Sequence, residues 1–380
     1  MRINTVNAYH ISLTFNGNFP HSRTRGGFAD NVICEVVADN GAVKGYGEGA
    51  PRSYVTGETP KSVFTDISTF VRKAAFPSRL EDVSQIRSFV EGISDGKNHN
   101  AALCALETAL LDALGKHQKK YLTAYFSNDY YAETIYYGSV IPLWDKEGTD
   151  RLCRQIQEMA IDRIKLKMGT DYFQNKTSVE IIRNVFNNGC DLKIDANGAW
   201  ERKTAFDHIP LIQTSGIRVV EQPMMPRDPS FPDFARQVST CGILLMADES
   251  ICSFEEIGEL MDQGYNMVNI RLSKCGGFHR SLKMIGQLRK NGIPFQIGCH
   301  LGESGVLSSA GRTLSLLCKD AVYHDGSYDE FLLKENVTRK PVTFGRGGAA
   351  GALDGFGLGV DINALQLERL SKAFAGFTVP

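Results

Sequence analysis

Four ionisable residues recur at nearly constant intervals along the middle of the chain, each after a short apolar stretch. They are Asp195, Glu221, Asp248 and Lys274, and the intervals between neighbours are 26, 27 and 26 residues. An interval of this length accommodates one strand, one helix and two short loops. The spacing therefore predicts successive β/α units, with each charged residue at the carboxyl end of a strand.

The same pattern extends to both sides of these residues. Apolar runs predict eight strands, at 134–140, 162–167, 191–195, 217–221, 243–248, 267–273, 294–299 and 320–324. In a closed (β/α)₈ barrel the carboxyl ends of eight such strands converge on the catalytic face. Solvated loop charges are the alternative interpretation, but it explains neither the repeat nor the apolar run before each charge. We therefore expect the charged residues to meet at one mouth.

The first part of the chain has a different pattern, in which strands precede helices. The Asp39-Asn-Gly sequence predicts a hairpin, and three helices are expected at 60–76, 80–94 and 98–118. The fold class that follows is α/β, a modified (β/α)₈ TIM barrel with an N-terminal α+β capping domain. The expected boundaries are 1–130 for the cap, 131–345 for the barrel, and 346–380 for a C-terminal segment that returns to the cap.

Composition excludes several classes of partner. The chain has 42 basic and 43 acidic residues, so its charge does not indicate a nucleic-acid or membrane-surface partner. No apolar run has the length of a membrane span, and the nine cysteines are scattered without a CxxC motif. We expect a cytoplasmic enzyme with reduced thiols that forms a homo-oligomer.

The three carboxylates indicate a metal site. Asp195, Glu221 and Asp248 supply hard oxygen ligands without a thiolate or an imidazole. Such a set favours Mg²⁺, with Mn²⁺ as the alternative, and it leaves coordination positions for substrate oxygens. The expected substrate is a small carboxylate.

Three lysines accompany the carboxylates. Lys165 and Lys167 lie two residues apart on one predicted strand, so both ammonium groups point into the same mouth. Their mutual repulsion and their burial should lower the pKa of each, which would suit a general base. Lys274 lies four strands further round. A base on each face of one carbon allows a proton to leave from one side and return from the other.

The chain resembles the enolase superfamily, and within it the muconate lactonizing enzyme subgroup. The segments that carry the resemblance are GYGEGAPRSYVTGET (45–59), ALETALLDALGK (105–116), KLKMG (165–169), DANGAW (195–200), EQP (221–223), ADES (247–250), NIRLSKCGG (269–277), GCHLGESG (298–305) and GLGVD (357–361). The resemblance implies that the three carboxylates bind Mg²⁺. It also implies that Lys167 is the base on one face, Lys165 its electrostatic helper, and Lys274 the base or cation on the other face.

The family resemblance leaves the reaction open. Known activities in the subgroup are cycloisomerisation of muconates, dehydration to o-succinylbenzoate, and racemisation or epimerisation of N-acyl amino acids, dipeptides and betaines. Dipeptide epimerases of the family carry Asp-x-Asp after the eighth strand, whereas this chain has Asp325-Gly-Ser327. This departure argues against a dipeptide substrate.

The resemblance also implies that substrate contacts come from two cap loops, at about 15–28 and 50–58, and from the ends of the last two strands, at about 298–304 and 324–329. The expected residues are Arg23, Arg25, Tyr54, His300, Glu303 and Asp325. Glu303 has two interpretations, as a substrate contact or as the partner of a nearby cation. Two other functions also fit the residues. One is a Schiff-base aldolase that uses Lys274 or Lys167 covalently, and the other is a barrel that binds a ligand without turnover.

Overall fold

The N-terminal region contains an antiparallel sheet. The structure, a computed structural model, describes residues 1–17, 27–93, 99–187 and 189–380. Strands β1 (Ile3–Thr14), β2 (Phe28–Ala38) and β3 (Val43–Gly49) pair in chain order. The expected hairpin joins β2 and β3, where Asn40 and Gly41 have φ values of 58° and 93°. Asparagine and glycine tolerate this left-handed region, which explains the turn sequence.

Three helices follow this sheet, close to the expected positions. They are α1 (Pro60–Val71), α2 (Val83–Glu91) and α3 (Asn100–Gln118). Helix α1 begins with a capping box between Thr59 and Ser62, and α2 begins with one between Asp82 and Gln85. The side chains at these positions satisfy N–H groups that the helix itself leaves unpaired.

Alternate glycines on β3 allow α3 to pack directly on the sheet. Gly45, Gly47 and Gly49 lie on one face of β3, two residues apart. A Cβ at any of them would collide with the main chain of α3, at Ala109, Ala105 and Ala101 respectively. The GYGEG sequence therefore has a packing role. It brings the first turn of α3 toward the second part of the chain.

Strands and helices alternate from residue 134 onward, as the sequence predicts. In chain order they are β4 (Thr134–Tyr136), β5 (Ser139–Ile141), α4 (Lys146–Glu158), β6 (Arg163–Lys167), α5 (Tyr172–Phe186), β7 (Asp191–Asp195), α6 (Arg202–Thr214), β8 (Ile217–Glu221), α7 (Phe231–Ser239), β9 (Leu244–Ala247), α8 (Ile257–Gln263), β10 (Met267–Arg271), α9 (Leu272–Cys275), α10 (Phe278–Lys290), β11 (Phe295–Gly298), α11 (Gly305–Leu316), β12 (Tyr323–His324) and α12 (Asp329–Leu332). The expected strand 134–140 is instead two short strands, β4 and β5.

Strands β5 to β12 form one eight-stranded parallel sheet in chain order. Lys167 is in register with Asp195, and Asp195 with Glu221, so the carboxyl ends of these strands are level. The two edges of the sheet also approach each other. Tyr137, just before β5, forms a parallel bridge with His324 of β12, and Gly138 N donates to His324 O at 2.9 Å.

The last part of the chain contributes one strand that pairs with β4 and one strand that pairs with β1. Strand β13 (Ala349–Gly351) pairs with β4. Helix α13 (Ala364–Leu370) precedes β14 (Ser371–Thr378), which pairs antiparallel with β1 at the edge of the N-terminal sheet. Within the described ranges, no helix is long and apolar enough to cross a membrane. All nine cysteines have free thiols.

Candidate active site

Three buried carboxylates meet at the carboxyl edge of the parallel sheet. Asp195 and Glu221 are the last residues of β7 and β8, and Asp248 directly follows β9. One side-chain oxygen from each lies within 4.8 Å of the other two. All three side chains are inaccessible to solvent. Buried carboxylates this close together repel each other, so the cluster requires cations.

Two asparagines orient the carboxylates. The main-chain N–H of Asn197 donates to Asp195 Oδ1 at 2.8 Å, and Asn269 Nδ2 donates to Glu221 Oε1 at 2.7 Å. Lys193 precedes Asp195 by two residues in β7. Lys193 shares the strand face of Asp195 but lies one layer deeper in the sheet, where its Nζ contacts Asp325.

Lys167 and Lys274 lie at opposite ends of the row of carboxylates. Lys167 Nζ donates to Asp195 Oδ2 at 2.6 Å and to Asn197 Oδ1 at 2.9 Å. Lys274 Nζ donates to Asp248 Oδ1 at 2.8 Å and to the main-chain oxygens of Asp248 and Asn269, both at 2.7 Å. Lys274 was expected to follow directly after a strand at 267–273. Strand β10 instead ends at Arg271, and Lys274 lies on the single turn α9.

Lys165 lies between two carboxylates. Its Nζ is 2.7 Å from Glu221 Oε2 and 2.7 Å from Asp325 Oδ2. Burial lowers the pKa of Lys165, but the charges of Asp325, Glu221 and Asp195 outweigh burial and raise the pKa above its usual value. The expected lowering of the Lys165 pKa is therefore wrong for this arrangement. Burial does lower the pKa of Lys274.

Arg271 is a site residue that the sequence argument missed. Its guanidinium contacts Asp248 Oδ2 and lies 3.7 Å from Glu221 Oε1. A signal for it was present, because Arg271 ends β10 as Glu221 ends β8 and Lys167 ends β6. Residues at equivalent strand ends meet at the mouth. Arg271 therefore supplies another cation beside the carboxylates.

A cavity of about 680 Å³ opens beside this cluster. Its polar lining includes Tyr54, Lys165, Lys167, Arg271, His300, Glu303 and Asp325. Its apolar lining includes Trp144, Met159, Phe331 and Phe344. The structure thus brings four of the six expected substrate contacts to one cavity next to the carboxylates. Arg23 and Arg25 lie outside the described residues.

The loop after β11 supplies His300 and Glu303. Glu303 Oε1 accepts from the main-chain N–H of His300 at 2.6 Å, and His300 Nδ1 lies 3.5 Å away. Burial raises the pKa of Glu303 to about 8. Burial, with the charges of Arg271 and Arg52, lowers the pKa of His300 well below its usual value. Both groups are therefore neutral near pH 7.

Residues of the N-terminal region form hydrogen bonds with the loop that follows β11 and with the start of α11. Arg52 Nη2 donates to Leu301 O at 2.9 Å. The buried carboxylate of Glu48 accepts from the main-chain N–H groups of Ser304 and Leu307, at 3.0 and 2.9 Å. Together with Tyr54, these contacts place the expected cap loop 50–58 on the carboxylate side of the sheet. The expected loop 15–28 includes residues 18–26, which lie outside the described ranges.

The carboxylate triad and the flanking lysines at the carboxyl edge of the parallel sheet are the arrangement that the resemblance to the muconate lactonizing enzyme subgroup implies. The family model described as "Enolase C-terminal domain-like" matches residues 149–366. The chain therefore belongs to the enolase C-terminal domain-like family and is an enzyme of the enolase superfamily.

Curated relatives match about four fifths of the chain, and a solved structure matches nearly all of it. The chain is 29% identical over 301 residues to the hydrophobic dipeptide epimerase of Enterococcus faecalis, covering 78% of this chain and 82% of that protein. It is 26% identical over 317 residues to the N-succinyl-L-Arg/Lys racemase of Bacillus cereus, covering 82% and 83%. The dipeptide epimerase of Cytophaga hutchinsonii, solved with Mg and D-Ala-L-Val, superposes with a TM-score of 0.84 at 23% identity, covering 99% and 100%.

Proposed function

We propose that the protein is a Mg²⁺-dependent racemase or epimerase that removes and returns the α-proton of an amino-acid derivative. The observation that carries this proposal is the row from Lys167 through the three carboxylates to Lys274. An amine at each end of the row suits proton transfer on opposite faces of one substrate carbon. The names of the curated relatives support racemisation or epimerisation over cycloisomerisation and dehydration.

The carboxylates fit a divalent cation. They offer three oxygens within 4.8 Å and neither sulfur nor nitrogen, which favours Mg²⁺. Bound Mg²⁺ would stabilise negative charge on the substrate carboxylate as the α-proton leaves. Lys167 and Lys274 then act as the two bases. Lys165 stays protonated between Glu221 and Asp325, and it stabilises negative charge beside Lys167.

The cavity favours an N-acylated amino acid over a dipeptide, whose free ammonium group would need an ionised carboxylate. Asp325 is already paired with Lys165 and Lys193, and the pKa of Glu303 is raised to about 8 by burial. Ser327, at the second position of the Asp-x-Asp pattern, accepts a hydrogen bond from Arg312 Nη2 at 2.9 Å. None of these groups offers a free negative charge.

We also propose how the chain is divided into regions around this site. We place the cap at 1–130, the barrel at 131–345 and the segment that returns to the cap at 346–380. The contact between Tyr137 and His324 supports closure of the eight-stranded sheet into a (β/α)₈ barrel.

The experiment follows the α-proton in D₂O with Mg²⁺ present. Both stereoisomers of N-succinyl and N-acetyl amino acids and a set of dipeptides are incubated with wild type, Lys167→Ala and Lys274→Ala, and exchange is read by NMR. Wild type should racemise or epimerise at least one compound. Each variant should lose turnover by about 10²–10⁴-fold and keep exchange of the one stereoisomer that its remaining lysine serves.

Other outcomes would separate the alternatives. If one variant is inactive and the other is only weakened, a single lysine moves the proton, as in a cycloisomerase or dehydratase. Near-normal turnover in both variants would refute the two-lysine mechanism. Covalent trapping of substrate by borohydride would favour the Schiff-base aldolase.

A further inference from the structure

Asn100, the first residue of α3, contacts two segments of the active site. Its side chain is buried, and its Nδ2 donates to Lys274 O at 2.6 Å and to Cys252 O at 3.0 Å. Cys252 lies in the segment that follows Asp248. One amide group from the N-terminal region therefore joins the segments that leave β9 and β10.

The orientation of this amide is determined by its surroundings. Arg280 Nη1 donates to Asn100 Oδ1 at 3.0 Å, while the two carbonyl groups can only accept from Nδ2. A flipped amide would turn its oxygen toward both carbonyls and its NH₂ group toward the guanidinium. The observed orientation is thus the one that satisfies every partner.

The turn that carries Lys274 depends on external contacts. Helix α9 has four residues, and so short a helix is not stable by itself. It ends at Gly276 and Gly277, with φ values of 85° and 96°. A Cβ on Gly276 would lie 2.9 Å from Asn100 Oδ1, and one on Gly277 would collide with the Glu107 carboxylate. The two glycines therefore let α3 approach the turn closely.

The Lys274 ammonium group contacts both of the segments that Asn100 joins. Lys274 Nζ donates to Asp248, which directly follows β9, and to the main-chain oxygen of Asn269, which lies within β10. Asn100 joins the turn of Lys274 to the segment that follows Asp248, the carboxylate that the ammonium group contacts. The main-chain N–H of Ala50 also donates to Ser273 Oγ at 2.8 Å.

We infer that Asn100 is a positioning residue for Lys274, through which the N-terminal region controls proton transfer on one face of the substrate only. The inference rests on the proposed function, in which Lys274 serves one stereoisomer and Lys167 the other. Displacement of a base by about 1 Å costs on the order of 10²-fold in rate. Loss of Asn100 should therefore slow exchange on the Lys274 face and spare the Lys167 face.

Asn175 provides a matched control on the other side of the site. It is also buried, and it makes two hydrogen bonds with the main chain of Gly169, at 2.8 and 3.1 Å. Gly169 lies two residues after Lys167. Asn175→Ala therefore removes an equivalent buried amide without touching the Lys274 turn.

The test compares Asn100→Ala, Asn100→Asp and Asn175→Ala with wild type. Asn100→Asp keeps the shape of the side chain and its contact with Arg280 but removes both donors. One measurement is exchange of each stereoisomer of the N-acyl amino acid that wild type exchanges fastest. Lys167→Ala and Lys274→Ala identify which lysine serves which stereoisomer. The other is hydrogen–deuterium exchange of main-chain amides in residues 269–278 and 166–172, by mass spectrometry without substrate.

Both Asn100 variants should slow exchange on the Lys274 face on the order of 10²-fold, with less than about threefold change on the Lys167 face. They should also speed amide exchange in 269–278, whereas Asn175→Ala should speed it in 166–172. Equal slowing of both faces, or unchanged amide exchange in 269–278, would overturn the inference. Absence of any α-proton exchange by wild type would instead refute the proposed function, and the amide measurement would still decide whether Asn100 holds the Lys274 turn.

Discussion

Replacement of Asp325 by asparagine should destabilise the protein strongly, because Asp325 is the shared partner of two buried lysines. Its oxygens lie 2.7 Å from Lys165 Nζ and 2.9 Å from Lys193 Nζ. The three side chains are between 2% and 6% exposed. Asp325→Asn keeps the shape of the side chain but leaves the two ammonium groups without this charge.

The size of the effect follows from these distances. At an effective dielectric constant of about 20, each pair at about 2.8 Å has a Coulomb energy of about 6 kcal/mol. Desolvation of the charges offsets much of this. Removal of one partner from a buried pair costs about 3–5 kcal/mol, because the remaining charge stays buried. We expect a loss of that size in the free energy of unfolding.

The assay is equilibrium urea unfolding in the presence of EDTA. Asp233→Asn is the control, because Asp233 also contacts two cations, Arg202 and Arg236, but its side chain is 43% exposed. Exposed pairs contribute at most about 1 kcal/mol. In the Asp325→Asn background Lys165 keeps Glu221 as a partner, whereas Lys193 loses its paired carboxylate, so Lys193→Met should restore part of the loss.

The pH dependence supplies a further check. Burial by itself raises the pKa of Asp325, but the charges of Lys165 and Lys193 lower the pKa by a larger amount. The pKa of Asp325 is therefore lower in the folded protein than in the unfolded chain. The stabilisation is therefore present above the unfolded pKa and is lost as the pH falls through the folded pKa. The difference between wild type and Asp325→Asn should shrink in acid. If Asp325→Asn and Asp233→Asn cost the same at neutral pH, the burial argument is refuted.

Three other predictions concern the metal, the Lys274 turn and Glu303. Asp248→Asn should weaken Mg²⁺ binding by more than about tenfold in isothermal titration calorimetry, and unchanged affinity would contradict the metal site. Gly277→Ala should lower the urea midpoint more than Gly242→Ala, because both have positive φ but only Gly277 faces a side chain within contact distance. Because burial raises the pKa of Glu303 to about 8, wild type should lose stability as the pH rises from about 4.5 toward 8, and Glu303→Gln should lack this loss in urea titrations.

The sequence by itself determined the backbone plan and the carboxylates. A strand, a helix and their loops require a nearly fixed number of residues, so the interval between Asp195, Glu221 and Asp248 predicted level strand ends. The strand bounds 191–195 and 217–221 match the structure. The regular spacing predicts these strand ends because each β/α unit has a similar length, and the parallel sheet repeats that unit along the chain.

Only the tertiary structure decided which side chains meet across the sheet and across the two regions. Asp325 reaches Lys165 and Lys193, and Asn100 reaches Lys274, although these partners are more than 100 residues apart in the chain. No local pattern encodes such contacts. The pKa of a buried amine depends on the sum of all charges around it. Lys165 and Lys167 alone therefore predicted a lowered pKa for Lys165, whereas the surrounding carboxylates raise it.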